Sequence, residues 1–455
     1  MPDPARLDAL GVAGAVRSER VEQVCGVDGT VLAELSLVPP VSVRHNVRMM
    51  RRARPPIAAD RFDALAAAGE LFLGTVDGVS LREHEHRVCS ASGVALPVVR
   101  AASRSIAHSA AAAEDSVRKA RPFGTVSTWA DVRTAGAVWV RRGEVLAVQA
   151  AGNHPATHTA WIEALALGYR VAVRPSRREP FTPHRLVSAL RASGFGTEHV
   201  ALLPTDHSVT DALVDAADLA LMYGGDEVVA AYRARADVLV QGPGRSKVLL
   251  ADGRPEAHIG RVVDSVSGFG ATACVNASAV FVDRDAADVA KELARRLSEI
   301  PVRSPFDDNA VLPAFPVERA RSLEAYLRSK LDGATLLSGD DLVVNLPGGG
   351  AVLRPAVVLL ERATAPQTRI ELPFPCVWVT PWSPVDGIAP LRDTLTLTAF
   401  TLDEELLSQL SEEASISNLH IGDHPTHLMR PGLPHDGHLA EFLMKSKTVI
   451  RDVAG

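Results

Sequence analysis

Residues 144–174, EVLAVQAAGNHPATHTAWIEALALGYRVAVR, decide the fold. Apolar residues run together over Glu144–Ala150 and again over Tyr169–Arg174, and such runs are typical of the buried strands of a parallel sheet. Between them, Pro155–Leu167 is predicted to be a helix, because proline occupies its first position and Gly168 follows its end. The order strand, helix, strand predicts a βαβ unit.

The same alternation continues to residue 241. Short apolar runs at His199–Leu203, Leu219–Tyr223 and Val238–Gln241 alternate with segments of helical periodicity. Ligands of such sheets bind at the carboxyl ends of the strands, where this chain places Asn153 and the segment Arg174–Arg178. The sequence lacks the GxGxxG fingerprint of dinucleotide-binding sheets, so the fold alone does not establish a nucleotide site.

A second segment of interest is Gly268–Val282, GFGATACVNASAVFV, which holds Cys274 between small residues. It joins a helical pattern to a β-like run, so the thiol lies at a helix-to-strand junction. A lone cysteine in an apolar run usually packs as a small hydrophobic residue, and a reactive one needs its thiolate stabilised. From these residues alone, both interpretations stay open.

Composition limits the possible classes of protein. A chain of 455 residues predicts two or three domains, and 47% hydrophobic with 22% charged residues is typical of a soluble globular protein. The net charge of -6 argues against nucleic-acid binding. No apolar run is long enough to span a membrane, and the N-terminus does not resemble a signal peptide. Four widely spaced cysteines favour a reducing cytoplasm over disulfides or a zinc site.

Two local clusters have plain interpretations. The basic run Asn46–Arg54 is expected to be a solvated face or an arm on an acidic surface rather than a phosphate site. His84, Glu85, His86 and Cys89 lie close together, but without a matching partner cluster we predict no metal there.

Seven motifs, taken in order, resemble those of the aldehyde dehydrogenase superfamily over roughly residues 120–455. The N-terminal third matches poorly. The matching segments are Gly152-Asn153-His154-Pro155, Val173-Arg174-Pro175-Ser176, Tyr223-Gly224-Gly225, Gln241–Ser246, Ala273–Val282, Glu371-Leu372-Pro373-Phe374-Pro375 and Lys447-Thr448-Val449.

The resemblance implies an α/β fold with a Rossmann-like parallel-sheet cofactor domain, an α/β catalytic domain and a small β oligomerisation arm. On this basis we expect residues 1–122 and 144–241 to form the cofactor domain and 242–430 the catalytic domain. Residues 123–143 and 440–455 would form the arm of a homodimer or homotetramer.

The resemblance also implies roles for individual residues. Cys274 would be the nucleophile that adds to a carbonyl, and the Asn153 amide with the Cys274 backbone N–H would hold the oxyanion. Glu371 would hydrogen-bond the nicotinamide ribose. The other cofactor-binding residues implied are Arg174, Ser176, Arg177, Gly225 and Gly244.

Gln241 departs from the family pattern in a way that affects the chemistry. Hydrolytic members have a glutamate there, which activates water, whereas glutamine has no basic site at neutral pH. We therefore favour NADPH-dependent reduction of an acyl thioester, on coenzyme A or a carrier-protein pantetheine, to an aldehyde. The alternatives are NAD(P)-dependent oxidation of an aldehyde and a degenerate member that serves as a binding subunit.

Two further departures concern ligands. Arg177 stands where NAD-preferring members place a glutamate, and arginine favours a 2′-phosphate, so we predict NADP(H), with NAD(H) still possible. The C-terminal histidines are expected to line the substrate entrance for a polar or carrier-bound acyl group rather than to bind a metal. They are His420, His424, His427, His435 and His438.

Overall fold

Two seven-stranded sheets form the core of the protein. The computed structural model describes residues 4–55, 58–430 and 432–452. Residues 1–3 and 56–57 of the predicted cofactor domain, and residues 453–455 of the predicted arm, therefore lie outside the described residues.

The N-terminal region begins with short strands that the sequence analysis did not predict. They are β1 (Ala5–Leu7), β2 (Ala9–Gly11), β3 (Gly14–Val16), β4 (Val21–Cys25) and β5 (Val31–Ser36). β1, β5 and β4 make a separate three-stranded sheet, whereas β2 and β3 join the edge of the first large sheet.

Helices follow, and they pack on both faces of that sheet. They are α1 (Pro40–Arg52), α2 (Ala58–Phe72), α3 (Leu81–Ser92), α4 (Leu96–Ala111) and α5 (Ala113–Ala120), with the hairpin β6 (Thr75–Val76) and β7 (Val79–Ser80) after α2. In α1, Val43, Val47 and Met50 are buried at the spacing of one helical face. The basic residues of α1 lie on its other faces, where Arg51 pairs with Asp218 at 2.8 Å.

The first large sheet contains the βαβ units that the sequence predicts. After β8 (Thr125–Val126) and β9 (Ala135–Arg141), its elements are β10 (Val145–Gln149), α6 (Thr159–Ala166), β11 (Arg170–Arg174), α7 (Phe181–Ala192), β12 (Val200–Leu202), α8 (Thr210–Ala216), β13 (Leu219–Tyr223), α9 (Asp226–Tyr232) and β14 (Val238–Gln241). The strand order is β14-β13-β10-β11-β12, all parallel, followed by antiparallel β2 and β3. Its central strands are fully buried, as their apolar runs predict.

The second large sheet belongs to the C-terminal half. Its region contains β15 (Ser246–Leu250), α10 (Ile259–Ser267), β16 (Ala277–Val282), α11 (Ala286–Ser298), β17 (Ala314–Phe315), α12 (Val317–Arg328), β18 (Ala334–Leu336), β19 (Val343–Asn345), β20 (Ala351–Leu353), β21 (Ala356–Leu360), β22 (Cys376–Pro381), β23 (Thr394–Phe400), α13 (Glu404–Glu412) and β24 (Ile416–Ile421). The order is β18-β21-β22-β16-β15-β23-β24, and only β18 runs antiparallel to its neighbour. The remaining β17, β20 and β19 form a small sheet.

The chain ends with α14 (Leu439–Leu443) and β25 (Met444–Ile450). β25 pairs antiparallel with β9, and β9 pairs with β8, so residues 444–450 form a sheet with the segment that precedes the first βαβ unit. The predicted α/β class, with two parallel-sheet units and a small β element, is confirmed. No helix among the described residues is long and apolar enough to cross a membrane.

Candidate active site

Cys274 lies in a tightly turned segment between α10 and β16. Phe269, Gly270 and Ala271 have φ angles of 51°, 66° and 57°, so two non-glycine residues adopt the left-handed region, which side chains disfavour. Asn276 holds this turn, because its Nδ2 donates to the carbonyl oxygens of Gly268 at 2.5 Å and Ser265 at 3.2 Å. The cysteine is therefore presented by a fixed turn.

Asn153 reaches this turn from the other sheet. It follows β10, and its Nδ2 donates a hydrogen bond to the carbonyl oxygen of Thr272 at 2.8 Å. An amide nitrogen has two hydrogens, so one N–H remains for another acceptor. The structure thus brings together Asn153 and Cys274, which are more than a hundred residues apart.

Gly244 packs directly against Cys274. A β-carbon added at Gly244 would lie 1.9 Å from the carbonyl oxygen of Cys274 and 2.9 Å from its Cβ, so only glycine fits. Ser246 fixes the same contact, because its hydroxyl donates to the Cys274 carbonyl at 3.0 Å. The sequence analysis predicted Gly244 as a cofactor residue, and in the structure its close neighbour is the cysteine itself.

Glu371 is tied to the same loop. Its carboxylate accepts a hydrogen bond from the backbone N–H of Arg245 at 2.9 Å. Burial raises the pKa of Glu371 above its ordinary value, although the backbone N–H groups of Arg245 and Gly244 oppose the shift. A carboxyl group with a raised pKa, bound to the loop that contacts Cys274, is suited to accept a proton.

The environment of Cys274 disfavours its thiolate. Burial raises the pKa of Cys274 to about 12, and the carboxylates of Glu371 and Asp436 add to the shift. Asp436, whose role the sequence analysis missed, is held by a hydrogen bond of 2.8 Å from the Ser417 hydroxyl. The thiol is therefore protonated at neutral pH and needs a base before it can attack.

Gln241 is the last residue of β14. It lies opposite Tyr223 on β13, and its carbonyl oxygen accepts from the N–H of Gly224 at 3.2 Å. Burial raises the pKa of Tyr223, and the nearby Cys274 contributes to that shift. The end of β14 thus carries a neutral amide side chain, three residues before the glycine that contacts Cys274.

Four of the residues predicted to bind the nicotinamide cofactor, Arg174, Ser176, Arg177 and Gly225, lie at or just after the carboxyl ends of β11 and β13. Arg174 is buried, and its Nε donates to the Thr205 hydroxyl at 2.9 Å, so its guanidinium points onto Thr205. Burial and the adjacent Arg177 lower the pKa of Arg174 to about 10. Ser176 Oγ accepts from the N–H of Arg178 at 3.3 Å.

Arg177 is more exposed and forms an ion pair with Glu22 of β4 at 2.8 Å. Gly225 immediately precedes α9 as its N-cap, and nothing lies within 4 Å of where its Cβ would be. The Arg174 guanidinium is occupied by Thr205, whereas that of Arg177 is partly exposed, so Arg177 and the open Gly225 are the positions here that a phosphate could reach. Glu22 was not recognised from the sequence, and it competes with any anion for Arg177.

The cluster of His84, Glu85, His86 and Cys89 was predicted to bind no metal. Two of these side chains have partners within the fold. The Cys89 thiol donates a hydrogen bond to the carbonyl oxygen of Pro305 at 3.4 Å. The His84 ring packs edge-on against Phe72. Within the described residues, no three His, Cys, Asp or Glu side chains come together as a metal site.

Comparisons with known proteins show what the chain is similar to in sequence and in fold. The sequence model of the aldehyde dehydrogenase family matches residues 16–439, so the similarity begins far earlier than the sequence analysis placed it. No curated protein sequence matches the chain.

Solved structures match over almost the whole chain. Aldehyde dehydrogenase 21 from Physcomitrella patens, in complex with the reaction product succinate, has a TM-score of 0.81 at 16% identity, with 99% of each chain covered. An NADP-dependent enzyme of E. coli has a TM-score of 0.83 at 16% identity, covering 99% of this chain and 98% of that one. An NAD-dependent aldehyde dehydrogenase from Sinorhizobium meliloti has a TM-score of 0.83 at 17% identity, covering 99% and 96%. At these identities the likeness establishes the fold.

Proposed function

The chain belongs to the aldehyde dehydrogenase family, and from this premise we propose that it oxidises an aldehyde with NAD(P)⁺ through a thioester on Cys274. One observation carries the proposal: Asn153, Gly244 and Glu371, from three distant segments, all meet the turn or loop that fixes Cys274. The solved relatives named above as aldehyde dehydrogenases support the oxidative direction.

The chemistry begins with removal of the thiol proton. Glu371 is the carboxylate that we propose takes it, since its raised pKa makes it a better base than an ordinary glutamate. The thiolate adds to the aldehyde carbonyl, and the free N–H of the Asn153 amide with the Cys274 backbone N–H holds the oxyanion. Bound NAD(P)⁺ supplies the hydride acceptor. A thioester then remains on Cys274, and water or a thiol releases it.

We propose NADP(H) as the preferred cofactor. Arg177 supports this choice, because a guanidinium attracts a 2′-phosphate that a carboxylate would repel. The Glu22 ion pair weakens this attraction without removing the charge.

Gln241 supports a second candidate, the reduction of an acyl thioester to an aldehyde. A neutral amide cannot activate water, so an acyl group transferred to Cys274 from coenzyme A or a carrier-protein pantetheine, with release of that thiol, would persist until hydride from a reduced nicotinamide converted it to the aldehyde and freed the cysteine. The acyl-CoA reductase branch of the family works in this way, and the same cysteine serves both directions.

We further propose that the sheet of β8, β9 and β25 joins copies of the chain, with domain boundaries as the resemblance implies. Trp129, next to this sheet, and Ile450 at its end are 65% and 76% exposed, and Arg451 lies over the Trp129 ring at 5.6 Å, so the two apolar side chains belong to one exposed surface. Light scattering of wild type and Ile450→Lys tests this, and an unchanged mass would contradict it.

A two-way assay tests the function. Purified protein is given NADP⁺ or NAD⁺ with a panel of aldehydes, and separately NADPH with a panel of acyl-CoAs, while the absorbance of reduced nicotinamide is followed. Cys274→Ala should abolish the reaction, and Cys25→Ala, an exposed cysteine, should not. Turnover of acyl-CoA without oxidation of aldehydes would favour the second candidate. No turnover and no cofactor binding would indicate a degenerate binding subunit.

A further inference from the structure

A lysine interrupts the buried strand that follows the active-site loop. Lys247 is the second residue of β15 and is only 1% exposed, although the other residues of that strand are apolar or small. Lysine is almost never fully buried unless it is paired. In the described part of the chain, the hydrogen-bond partners of its amine are all uncharged oxygens. These contacts must therefore offset the cost of burying the amine.

The amine joins two turns of the backbone. Its Nζ donates to the carbonyl oxygens of Arg245 at 3.1 Å, Arg392 at 3.0 Å and Asp393 at 3.4 Å. It also donates to the Thr394 hydroxyl. Arg245 and Asp393 are non-glycine residues in the left-handed region, with φ angles of 48° and 52°. Such a backbone is disfavoured where a side chain is present, so it persists only where surrounding contacts hold it. Lys247 supplies contacts of this kind to both turns.

The first of the two turns is the loop that contacts the nucleophile. Gly244 abuts the carbonyl oxygen of Cys274, and the N–H of Arg245 donates to Glu371 at 2.9 Å. The second turn is bonded to the same loop, because the N–H of Leu395 donates to the Gly244 carbonyl at 2.8 Å. The buried amine is thus linked to the cysteine and to the carboxylate through the backbone of this loop.

We propose that Lys247 is a positioning residue of the active site, whose amine holds Arg245 in its left-handed conformation. Gly244 then stays against Cys274. This inference rests on the proposed function and adds to it a residue that does not touch the reacting atoms. Without the amine, the carbonyl oxygens of Arg245 and Arg392 lose a buried donor, and the loop should move away from the cysteine.

The protonation state of the amine should affect how firmly it holds the loop. Burial and the guanidinium groups of Arg369 and Arg245 lower the pKa of Lys247 to about 7, and the Asp393 carboxylate opposes them. That carboxylate is itself paired with Arg369. An ammonium group has three N–H donors and a neutral amine has two, so one donor is lost as the pH rises through 7. The loop should therefore be held less firmly above pH 7.

The first test measures access to Cys274 without turnover. Iodoacetamide labelling followed by mass spectrometry gives the alkylation rates of Cys274 and Cys376 in one sample. Cys376 is 4% exposed in β22, so its rate reports general opening of the fold. We expect Lys247→Met to raise the rate of Cys274 relative to Cys376 by about tenfold or more at pH 7, since a buried hydrogen bond is lost.

Two further variants sharpen this test. Lys247→Gln keeps an amide donor and should raise the ratio of the two rates less. Lys291→Met, at an exposed position on α11, is the control and should leave the ratio unchanged. If both cysteines become more reactive together in Lys247→Met, or if neither does, Lys247 only stabilises the fold and the proposal is overturned.

The second test uses the pH dependence of the same ratio and applies even if Lys247→Met does not fold. Burial raises the pKa of both Cys274 and Cys376, so between pH 6 and pH 8 the two thiolate fractions rise in parallel and cancel in the ratio. The wild-type ratio should therefore rise with pH only because Lys247 loses its proton. In a folded Lys247→Met it should not change. A wild-type ratio that is independent of pH would overturn the proposal.

Steady-state kinetics separates this inference from the proposed function. In Lys247→Met, kcat for aldehyde oxidation should fall by about tenfold or more, while the KM for NAD(P)⁺ changes by less than about threefold. If wild type oxidises no aldehyde but the labelling ratios behave as expected, the proposed function fails and the positioning role stands. If wild type oxidises aldehydes and Lys247→Met does so with an unchanged kcat, the proposed function stands and the positioning role is refuted.

Discussion

The carboxylate of Glu371 accepts a hydrogen bond from the backbone N–H of Arg245 at 2.9 Å, across 126 positions of sequence. Arg245 is a non-glycine residue with a φ of 48°, and its guanidinium pairs with Asp226 at 2.6 Å. The preceding residue, Gly244, touches Cys274. This contact holds an acid of raised pKa close enough to raise the pKa of the Cys274 thiol as well.

Glu371→Gln separates a role as base from a role in binding the cofactor ribose. If Glu371 takes the thiol proton, kcat should fall by about 10²–10⁴-fold. Removal of its negative charge should also lower the pKa of Cys274, and each unit speeds alkylation of the cofactor-free enzyme at pH 8 by about tenfold. Glu361→Gln, an exposed control, should change neither quantity. A rise in the KM for cofactor alone, with alkylation unchanged, would instead support ribose binding.

Gln241→Glu tests the position of the missing base. With coenzyme A present, the variant should form more free acid relative to acyl-CoA, by about tenfold or more, because a carboxylate can activate water. Product ratios measured by chromatography give the answer. Gln409→Glu adds the same charge at an exposed site on α13 and should leave the ratio unchanged. If both variants behave alike, Gln241 does not occupy the base position.

Much of the fold follows from local sequence. The strands around residues 144–241 are continuous apolar runs buried on both faces, so their period and length predict them. The N-terminal strands β1, β2 and β3 have three residues each, too few to show a period, and they form only because neighbouring strands offer hydrogen-bond partners.

The site was predictable in part. Cys274 and Asn153 stand in motifs whose order is visible along the chain. The bond of Glu371 to Arg245, the ion pair of Arg177 with Glu22, and the contact of His154 with Phe269 join distant segments, and nothing local encodes them. Proline and glycine residues predicted where helices end. The segment Pro155–Leu167, predicted as one helix, begins as a 3₁₀ turn before α6, and His154 Nδ1 caps that turn by accepting from the N–H of Ala156.

Arg177 and Glu22 give a prediction for cofactor choice. Arg177→Glu should lower kcat/KM with NADP⁺ by about 10–100-fold, since it removes a charge-assisted contact and adds repulsion, and should leave NAD⁺ nearly unaffected. Glu22→Gln should raise kcat/KM with NADP⁺, because it releases the guanidinium from its ion pair. Glu19→Gln, an exposed residue just before β4, is the control. A wild-type preference for NAD⁺ that Arg177→Glu does not alter would refute the assignment.

His158 gives a prediction for the pH dependence of stability. It is 1% exposed, its Nδ1 accepts from Trp161 Nε1 at 3.0 Å, and burial lowers the pKa of His158 to about 3. Between pH 3 and the ordinary value near 6.5, the unfolded chain binds more protons than the folded protein, so stability falls as the pH falls through this window. At pH 5 this residue alone should cost about 2 kcal/mol relative to pH 7.

In His158→Leu this proton uptake is absent. The variant should lose some stability at pH 7, because Trp161 loses its acceptor, but its Tm should fall less than that of wild type between pH 7 and pH 5. Thermal melting followed by circular dichroism at the two pH values measures the difference. His108→Leu, an exposed histidine, should keep the wild-type drop. An equal drop in His158→Leu and wild type would mean that His158 is hydrated or paired in solution, and its buried neutral state would then be wrong.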